Sequence, residues 1–321
     1  MKILLTHSPE ARASYYGARA LEALRAVGDV VLHEKQAPLE GEALIAAAAD
    51  CDIVLSYRVS PGPAQLFERL PRLIAFMRCA IDIRNIDVPA ASRAGVLVTQ
   101  ASAGFVTSVS EMVIAFMIDL ARGITRSAII YRRNEAPQVQ MGRELRGSTL
   151  GVIGYGAIGR EVARIGKALG MRVLVNDPYV SDANSIPLDQ LLAQSDFVVP
   201  LAVANAETEN LIDRNAFSKM KRGAYFVNVS RGNLVDEAAL EAALDSGRLA
   251  GCAIDVGRAP DQMPTPRLAA RADVVATPHI GGLTPPAIEH QALESVAQAA
   301  EIVKGRAPKG AVNAEHWKRK P

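Results

Sequence analysis

Short apolar runs alternate with longer stretches of helical spacing along the whole chain. The runs lack the polar alternation of half-exposed strands, which predicts strands covered on both faces and a parallel α/β architecture. The first third reads as strands at Lys2–His7, Asp29–His33, Asp52–Ser56, Leu73–Phe76 and Val96–Thr99, with amphipathic or alanine-rich helices between them. A long helix follows, with Val109, Met112, Val113, Phe116, Met117 and Leu120 at helical spacing and Ser108-x-x-Glu111 as its capping box. Its Met and Phe stripe is read as packing. The polar, weakly patterned segment 131–146 predicts an arm or connection. From Thr149 a second series begins, with strands at Leu150–Ile153, Arg172–Asn176, Asp196–Leu201, Ala224–Val229, Gly251–Asp255 and Asp273–Ala276. A last helix, about Pro286 to Lys304, is expected to return to the first sheet.

The turn after the first strand of the second series is Gly154-Tyr-Gly156-Ala157-Ile158-Gly159. The motif is weak alone, but here it joins a strand to a helix. The first glycine permits the tight turn, the second lets backbone approach a pyrophosphate, and the third allows close helix–strand packing. Ala157 and Ile158 open that helix, whose free N–H groups suit phosphate. Asp177 ends the next strand, and a carboxylate there accepts from ribose hydroxyls and repels a 2′-phosphate. The predicted cofactor is therefore NAD.

Ligands of open parallel sheets lie beyond the carboxyl ends of the strands. The last three strands end in Asn228-Val229-Ser230-Arg231, Ile254-Asp255 and Thr277-Pro-His279. Singly, Arg231 reads as a surface ion-pair partner, Asp255 as a helix cap and His279 as a satisfied loop histidine. Together, at neighbouring strand ends in a domain with a pyrophosphate loop, they outweigh those readings. Oxidising a hydroxy acid at C2 needs a base that titrates near neutrality, which suits His279. A planar guanidinium grips a carboxylate and polarises the C2 oxygen, which suits Arg231. Asp255 is expected to orient the nicotinamide carboxamide, with Val229 and His279 also touching the cofactor.

Composition narrows the classes further. Hydrophobic residues make up 49% and charged residues 22%, which describes a globular chain. Lys and Arg total 36 against 34 for Asp and Glu, so charge gives no reason to expect nucleic acid or an acidic membrane. No apolar run approaches about 18 residues, and the N-terminal run is too short for a signal peptide. Cys51, Cys79 and Cys252 are widely spaced with no CxxC pair, which points to buried thiols in the cytoplasm. No cluster has metal-ligand spacing, so no metal is expected.

At this point the residues resemble the D-isomer-specific 2-hydroxyacid dehydrogenase family. Asn85-Ile-Asp87, Glu111, Gly154–Gly159, Asp177, Met220-Lys-Arg-Gly223, Asn228–Gly232, Val235-Asp-Glu237, Ala253–Val256 and Thr277–Gly282 match its pattern in order. The resemblance implies a Rossmann NAD-binding domain, residues 102–283, inserted into a flavodoxin-like substrate domain of residues 1–101 and 284–321. It implies Arg231 as the substrate-binding arginine, His279 as the acid/base, a small 2-hydroxy or 2-oxo acid as substrate, and a homodimer paired through the cofactor domain and its long helix.

The chain departs from the family in three places. Pro260 occupies the position of the glutamate that usually partners the histidine, so either Asp261 substitutes from one residue away or the histidine lacks a carboxylate partner. The loop that usually reads Gly-x-Gly, whose N–H groups hold the substrate carboxylate, is Ala80-Ile81-Asp82, a tighter and more acidic version. Leu201-Ala-Val203 stands where a His-x-Pro is common. These departures argue against a routine phosphoglycerate or lactate enzyme. Two alternatives share the scaffold. Formate oxidation is disfavoured because those enzymes generally carry glutamine at the position of Pro260. A nicotinamide-sensing, corepressor-like binding protein would need no intact base, yet Arg231 and His279 are both present.

Overall fold

The computed structural model describes residues 1–180 and 185–321. The chain forms two compact units, one of residues 1–105 with 284–321 and one of residues 106–283. Each has its own parallel sheet, so a Rossmann domain is inserted into a flavodoxin-like one.

The first unit contains β1 (Lys2–Leu5), β2 (Asp29–Leu32), β3 (Ile53–Ser56), β4 (Ala75–Arg78) and β5 (Leu97–Gln100), in the order β2-β1-β3-β4-β5. Successive side chains of a strand point to opposite faces, and the two core layers follow that rule. Ile3, Leu5, Ile53, Leu55, Ala75, Met77 and Leu97 enter one layer, while Leu4, Val54, Phe76 and Val98 enter the other. Burial on both faces explains why these strands read as unbroken apolar runs. The C-terminal helix Pro285–Val303 packs Ala292, Val296, Ala299 and Ile302 into the first layer, as does Trp317, whose indole N–H donates to the Ile74 carbonyl at 3.0 Å.

The second unit contains β6 (Thr149–Ile153), β7 (Arg172–Asn176), β8 (Phe197–Pro200), β9 (Ala224–Asn228), β10 (Leu249–Ile254) and β11 (Val274–Ala276), in the order β11-β10-β9-β8-β6-β7. The common Rossmann order places another strand outside the second one. Here, among the described residues, a parallel bridge between Val175 and Ser185 stands at that edge, and the strand ending near Leu201 lies on the other side of β6.

The long helix Val106–Arg122 starts two residues before its expected cap, so Ser108 lies inside it. Val109, Val113, Phe116 and Met117 are buried against the helix Ala157–Ala168 and strands β9 and β10. The expected connection contains a further helix, Ile124–Arg132, before an irregular arm. All three cysteines are free and buried. Among the described residues, no helix is long and apolar enough to cross a membrane.

Candidate active site

The glycine turn follows β6 directly, and each glycine answers to a different constraint. Gly154 has φ +96°, and a Cβ on it would lie 2.5 Å from the Ala202 nitrogen. At Gly159 a Cβ would lie 2.1 Å from the Gly154 carbonyl oxygen, so any side chain would force helix and turn apart. A Cβ at Gly156 would meet nothing within 4 Å. That open side, together with a helix N-terminus that has no side-chain cap, suits a pyrophosphate. The residues therefore fit a dinucleotide. Asp177 braces the turn from the next strand, because its carboxylate accepts from the Tyr155 N–H at 2.7 Å and the Tyr179 N–H at 2.9 Å. Each oxygen keeps a lone pair for a ribose hydroxyl. The Tyr155 ring stacks locally under the Arg160 guanidinium, 4.5 Å from its centroid.

Strands β9, β10 and β11 are neighbours, and the predicted reactive residues leave their carboxyl ends. Arg231 follows the buried Val229. The buried Asn228 side chain donates to the Arg231 carbonyl at 3.0 Å and accepts from the Ser230 N–H at 3.1 Å, bracing the turn. Gly232 touches Gly257 backbone to backbone, and a Cβ on it would lie 2.2 Å from the Gly257 carbonyl oxygen. The turn carrying Arg231 is thus pressed against the loop after β10.

Asp255 is 1% exposed, and its carboxylate is directed at the loop after β11. It accepts from the Thr277 hydroxyl at 2.6 Å, the Ile280 N–H at 2.8 Å and the Gly281 N–H at 2.7 Å. His279 lies between those anchors with φ +57°, a backbone conformation that a non-glycine residue holds only when its surroundings fix it. The sequence alone suggested a cofactor contact for Asp255, and the structure adds this grip on the histidine loop.

Of the two expectations for the histidine's partner, the contact at Nδ1 matches the one without a carboxylate. His279 Nδ1 lies 2.8 Å from the backbone carbonyl oxygen of Asp261, not from its carboxylate. A carbonyl only accepts, so Nδ1 carries the proton and Nε2 is left for proton exchange. Asp261 and Gln262 have φ +58° and +57°, which turns that carbonyl toward the ring. The loop is anchored by Glu237, which accepts from the Arg258 N–H and the Thr265 hydroxyl, each at 3.1 Å.

In the first unit, Ile81 and Asp82 follow β4. Asp82 is clasped by Arg84, with Nη2 at 2.6 Å from Oδ2 and Nε at 3.0 Å from Oδ1. The loop therefore carries its own counter-charge and is less acidic than the sequence implied. Sequence reasoning matched Asn228 and Glu237 to the family pattern without giving them a role, and it missed the Gly232–Gly257 contact, for which the closely spaced glycines were the available signal.

A sequence profile described as the D-isomer specific 2-hydroxyacid dehydrogenase, NAD binding domain, matches residues 114–281, just over half the chain. The chain belongs to the D-isomer specific 2-hydroxyacid dehydrogenase family. The second unit is accordingly that family's NAD-binding domain. Human D-3-phosphoglycerate dehydrogenase is 33% identical over 297 residues, covering 90% of this chain and 55% of the human protein. The chain spans about half the length of the first such relatives it matches. The glyoxylate reductase of Korarchaeum cryptofilum is 30% identical over 315 residues, with 94% of this chain and 95% of that protein aligned. Among solved structures, the apo D-lactate dehydrogenase of Escherichia coli superposes with a TM-score of 0.83 at 26% identity, covering 97% of this chain and 100% of that one. In this family member, Arg231, Asp255 and His279 occupy the ends of consecutive strands of the cofactor domain.

Proposed function

We propose that the protein catalyses NAD-linked hydride transfer at C2 of a small 2-hydroxy or 2-oxo acid. The observation that carries this reading is the placement of Arg231, Asp255 and His279 on three adjacent strand ends in the domain that holds the Gly154–Gly159 turn. NAD would be held by Gly154, Gly156, Ala157, Ile158 and Asp177, with Val229, Asp255 and His279 toward the nicotinamide, and it supplies the hydride chemistry when bound. His279, proton-bearing at Nδ1, exchanges a proton with the C2 oxygen at Nε2. Arg231 binds the substrate carboxylate and polarises the C2 oxygen. The first unit, with its C-terminal helix, is assigned as the substrate domain, and the backbone N–H groups at Ile81 and Asp82 as further carboxylate donors.

A spectrophotometric panel of 2-oxo acids with NADH and NADPH tests this. We expect turnover of at least one acid and a preference for NADH that Asp177→Ala reduces by roughly tenfold or more, because one charge-assisted contact to the ribose disappears. NADH binding without turnover of any acid would sink the enzyme reading in favour of a nicotinamide sensor.

We also propose a homodimer built on the cofactor domain. The helices Val106–Arg122 and Ile124–Arg132 and the arm that follows expose Ile118, Ile124, Ile129, Tyr131, Val139 and Met141. An apolar face of that kind on a folded domain marks an interaction surface. Light scattering should give twice the mass of one chain, and Tyr131→Asp with Met141→Asp should halve it. A monomeric wild type overturns the proposal. The free, buried cysteines support a cytoplasmic location.

A further inference from the structure

Arg258 lies at the surface of the second unit, where an arginine is ordinarily a solvated charge. Its guanidinium is nevertheless engaged through every nitrogen. Nε donates to the Val235 carbonyl at 3.3 Å, and Nη2 donates to the same carbonyl at 3.1 Å, to the Asn233 carbonyl at 3.2 Å and to Asn210 Oδ1 at 2.6 Å. Nη1 lies 2.8 Å from Glu209 Oε1.

These acceptors sit on and beside the turn that carries Arg231. Asn233 lies in the single helical turn Gly232–Leu234 and Val235 follows it, and the turn begins where the Leu234 N–H donates to the Arg231 carbonyl at 3.3 Å. Residues 210–212 run alongside, with the Asn210 N–H on the Asn233 carbonyl at 2.8 Å and the Ile212 N–H on the Leu234 carbonyl at 2.9 Å. Glu209 also accepts from Asn233 Nδ2 at 3.1 Å. Arg258 itself belongs to the loop after β10. That loop closes on itself, through the Gly257 N–H on the Gln262 carbonyl at 2.8 Å and the Ala259 N–H on the Met263 carbonyl at 3.1 Å. Within it the Asp261 carbonyl meets His279 Nδ1, and the positive φ of Asp261 and Gln262 is a shape held only when surroundings impose it. One guanidinium therefore ties the turn bearing Arg231 to the loop that orients His279.

We propose that Arg258 is a positioning residue, which fixes the loop after β10 against the turn after β9 so that the Asp261 carbonyl stays aimed at His279 and the ring keeps its proton on Nδ1. A rigid planar fork suits this task. A lysine ammonium has three N–H donors on one atom and cannot serve two backbone carbonyls, an amide and a carboxylate at once. The effect on turnover rests on the hydride-transfer reading above, whereas the effect on the histidine proton does not.

The experiment has two arms. The first reads the ring nitrogens of His279 by ¹⁵N NMR in the full chain without substrate, at alkaline pH where histidine is neutral, with His279→Asn to assign the signals. The hydrogen bond at one ring nitrogen sets which nitrogen is protonated. We expect the Nδ1–H form in wild type, a shift toward Nε2–H in Arg258→Ala and a smaller one in Arg258→Lys. Glu209→Gln, which removes the ion pair and leaves the ties to the turn, should match wild type. The second arm measures reduction of glyoxylate, pyruvate and 2-oxobutanoate with NADH. Arg258→Ala should lower kcat on the best of these acids by roughly tenfold, with the NADH dissociation constant within about twofold of wild type. Added to Asp261→Val it should cost nothing more, because both changes act through one carbonyl. A shifted tautomer with no acid reduced by wild type sinks the reaction and upholds the positioning role. An unchanged tautomer in Arg258→Ala overturns that role whatever the kinetics, and so do losses that multiply in the double variant.

Discussion

His279→Asn should lower kcat for 2-oxo acid reduction by roughly 10²–10⁴-fold, the usual worth of a positioned acid/base, and leave the NADH dissociation constant within a few-fold. The more discriminating experiment concerns its partner. Nδ1 donates to a main-chain carbonyl, so this hydrogen bond survives loss of the Asp261 carboxylate as long as the backbone keeps its shape. Asp261 has φ +58°, which asparagine and glycine adopt readily and a β-branched residue does not. Asp261→Asn and Asp261→Gly should therefore keep kcat/KM within a few-fold of wild type. Their pH profiles should superimpose on the wild-type curve. Asp261→Val, forced out of the left-handed region, swings the carbonyl away and should lower kcat by roughly tenfold or more, as a misplaced catalytic group does. If Asp261→Asn loses as much as Asp261→Val, the carboxylate itself is acting and the carbonyl assignment is wrong.

That substitution of backbone for side chain shows where sequence reasoning reaches its limit here. The glycine turn, Asp177, Arg231 and His279 are legible because each is a residue type fixed by chemistry at a position fixed by a strand end. The family pattern points to a carboxylate beside the histidine, yet the group at Nδ1 is the Asp261 carbonyl, which every residue has and no sequence pattern advertises. β4 shows a second limit. Its expected span, Leu73–Phe76, lies two residues early because the run Leu73–Met77 is uniformly apolar and gives no phase. The true end of the strand is the buried Arg78, a residue type that composition alone assigns to the surface. Asp82 shows a third, since its bidentate partner Arg84 is only two residues away, yet such a clasp depends on a turn geometry that charge counting does not see. In the cofactor domain, the Val175–Ser185 bridge involves no apolar run around Ser185 that a sequence pattern would mark.

Asp255 should prove as sensitive to substitution as the histidine it steadies. Asp255→Ala leaves the Thr277 hydroxyl and the Ile280 and Gly281 N–H groups without their acceptor in a site 1% exposed. Unsatisfied buried donors cost about 1–3 kcal/mol each, and with partial relaxation we expect a loss of about 2–5 kcal/mol. Asp255→Asn is no milder remedy, because one carboxylate oxygen becomes an amide donor facing another donor. Both variants should lower Tm, and both should lower kcat by roughly 100-fold, because the loop between the anchors no longer holds His279 in its left-handed conformation. Gly281→Ala probes the same joint from the other side, since its Cβ would lie 2.8 Å from Asp255 Oδ2. It should reproduce the kcat loss with every hydrogen-bonding group still present. A residue that served only the nicotinamide would give a different pattern, in which Asp255→Asn weakens NADH binding, leaves Tm unchanged and lets Gly281→Ala pass unnoticed. That pattern would refute the positioning role, because three donors cannot lose a buried acceptor without a cost to the fold.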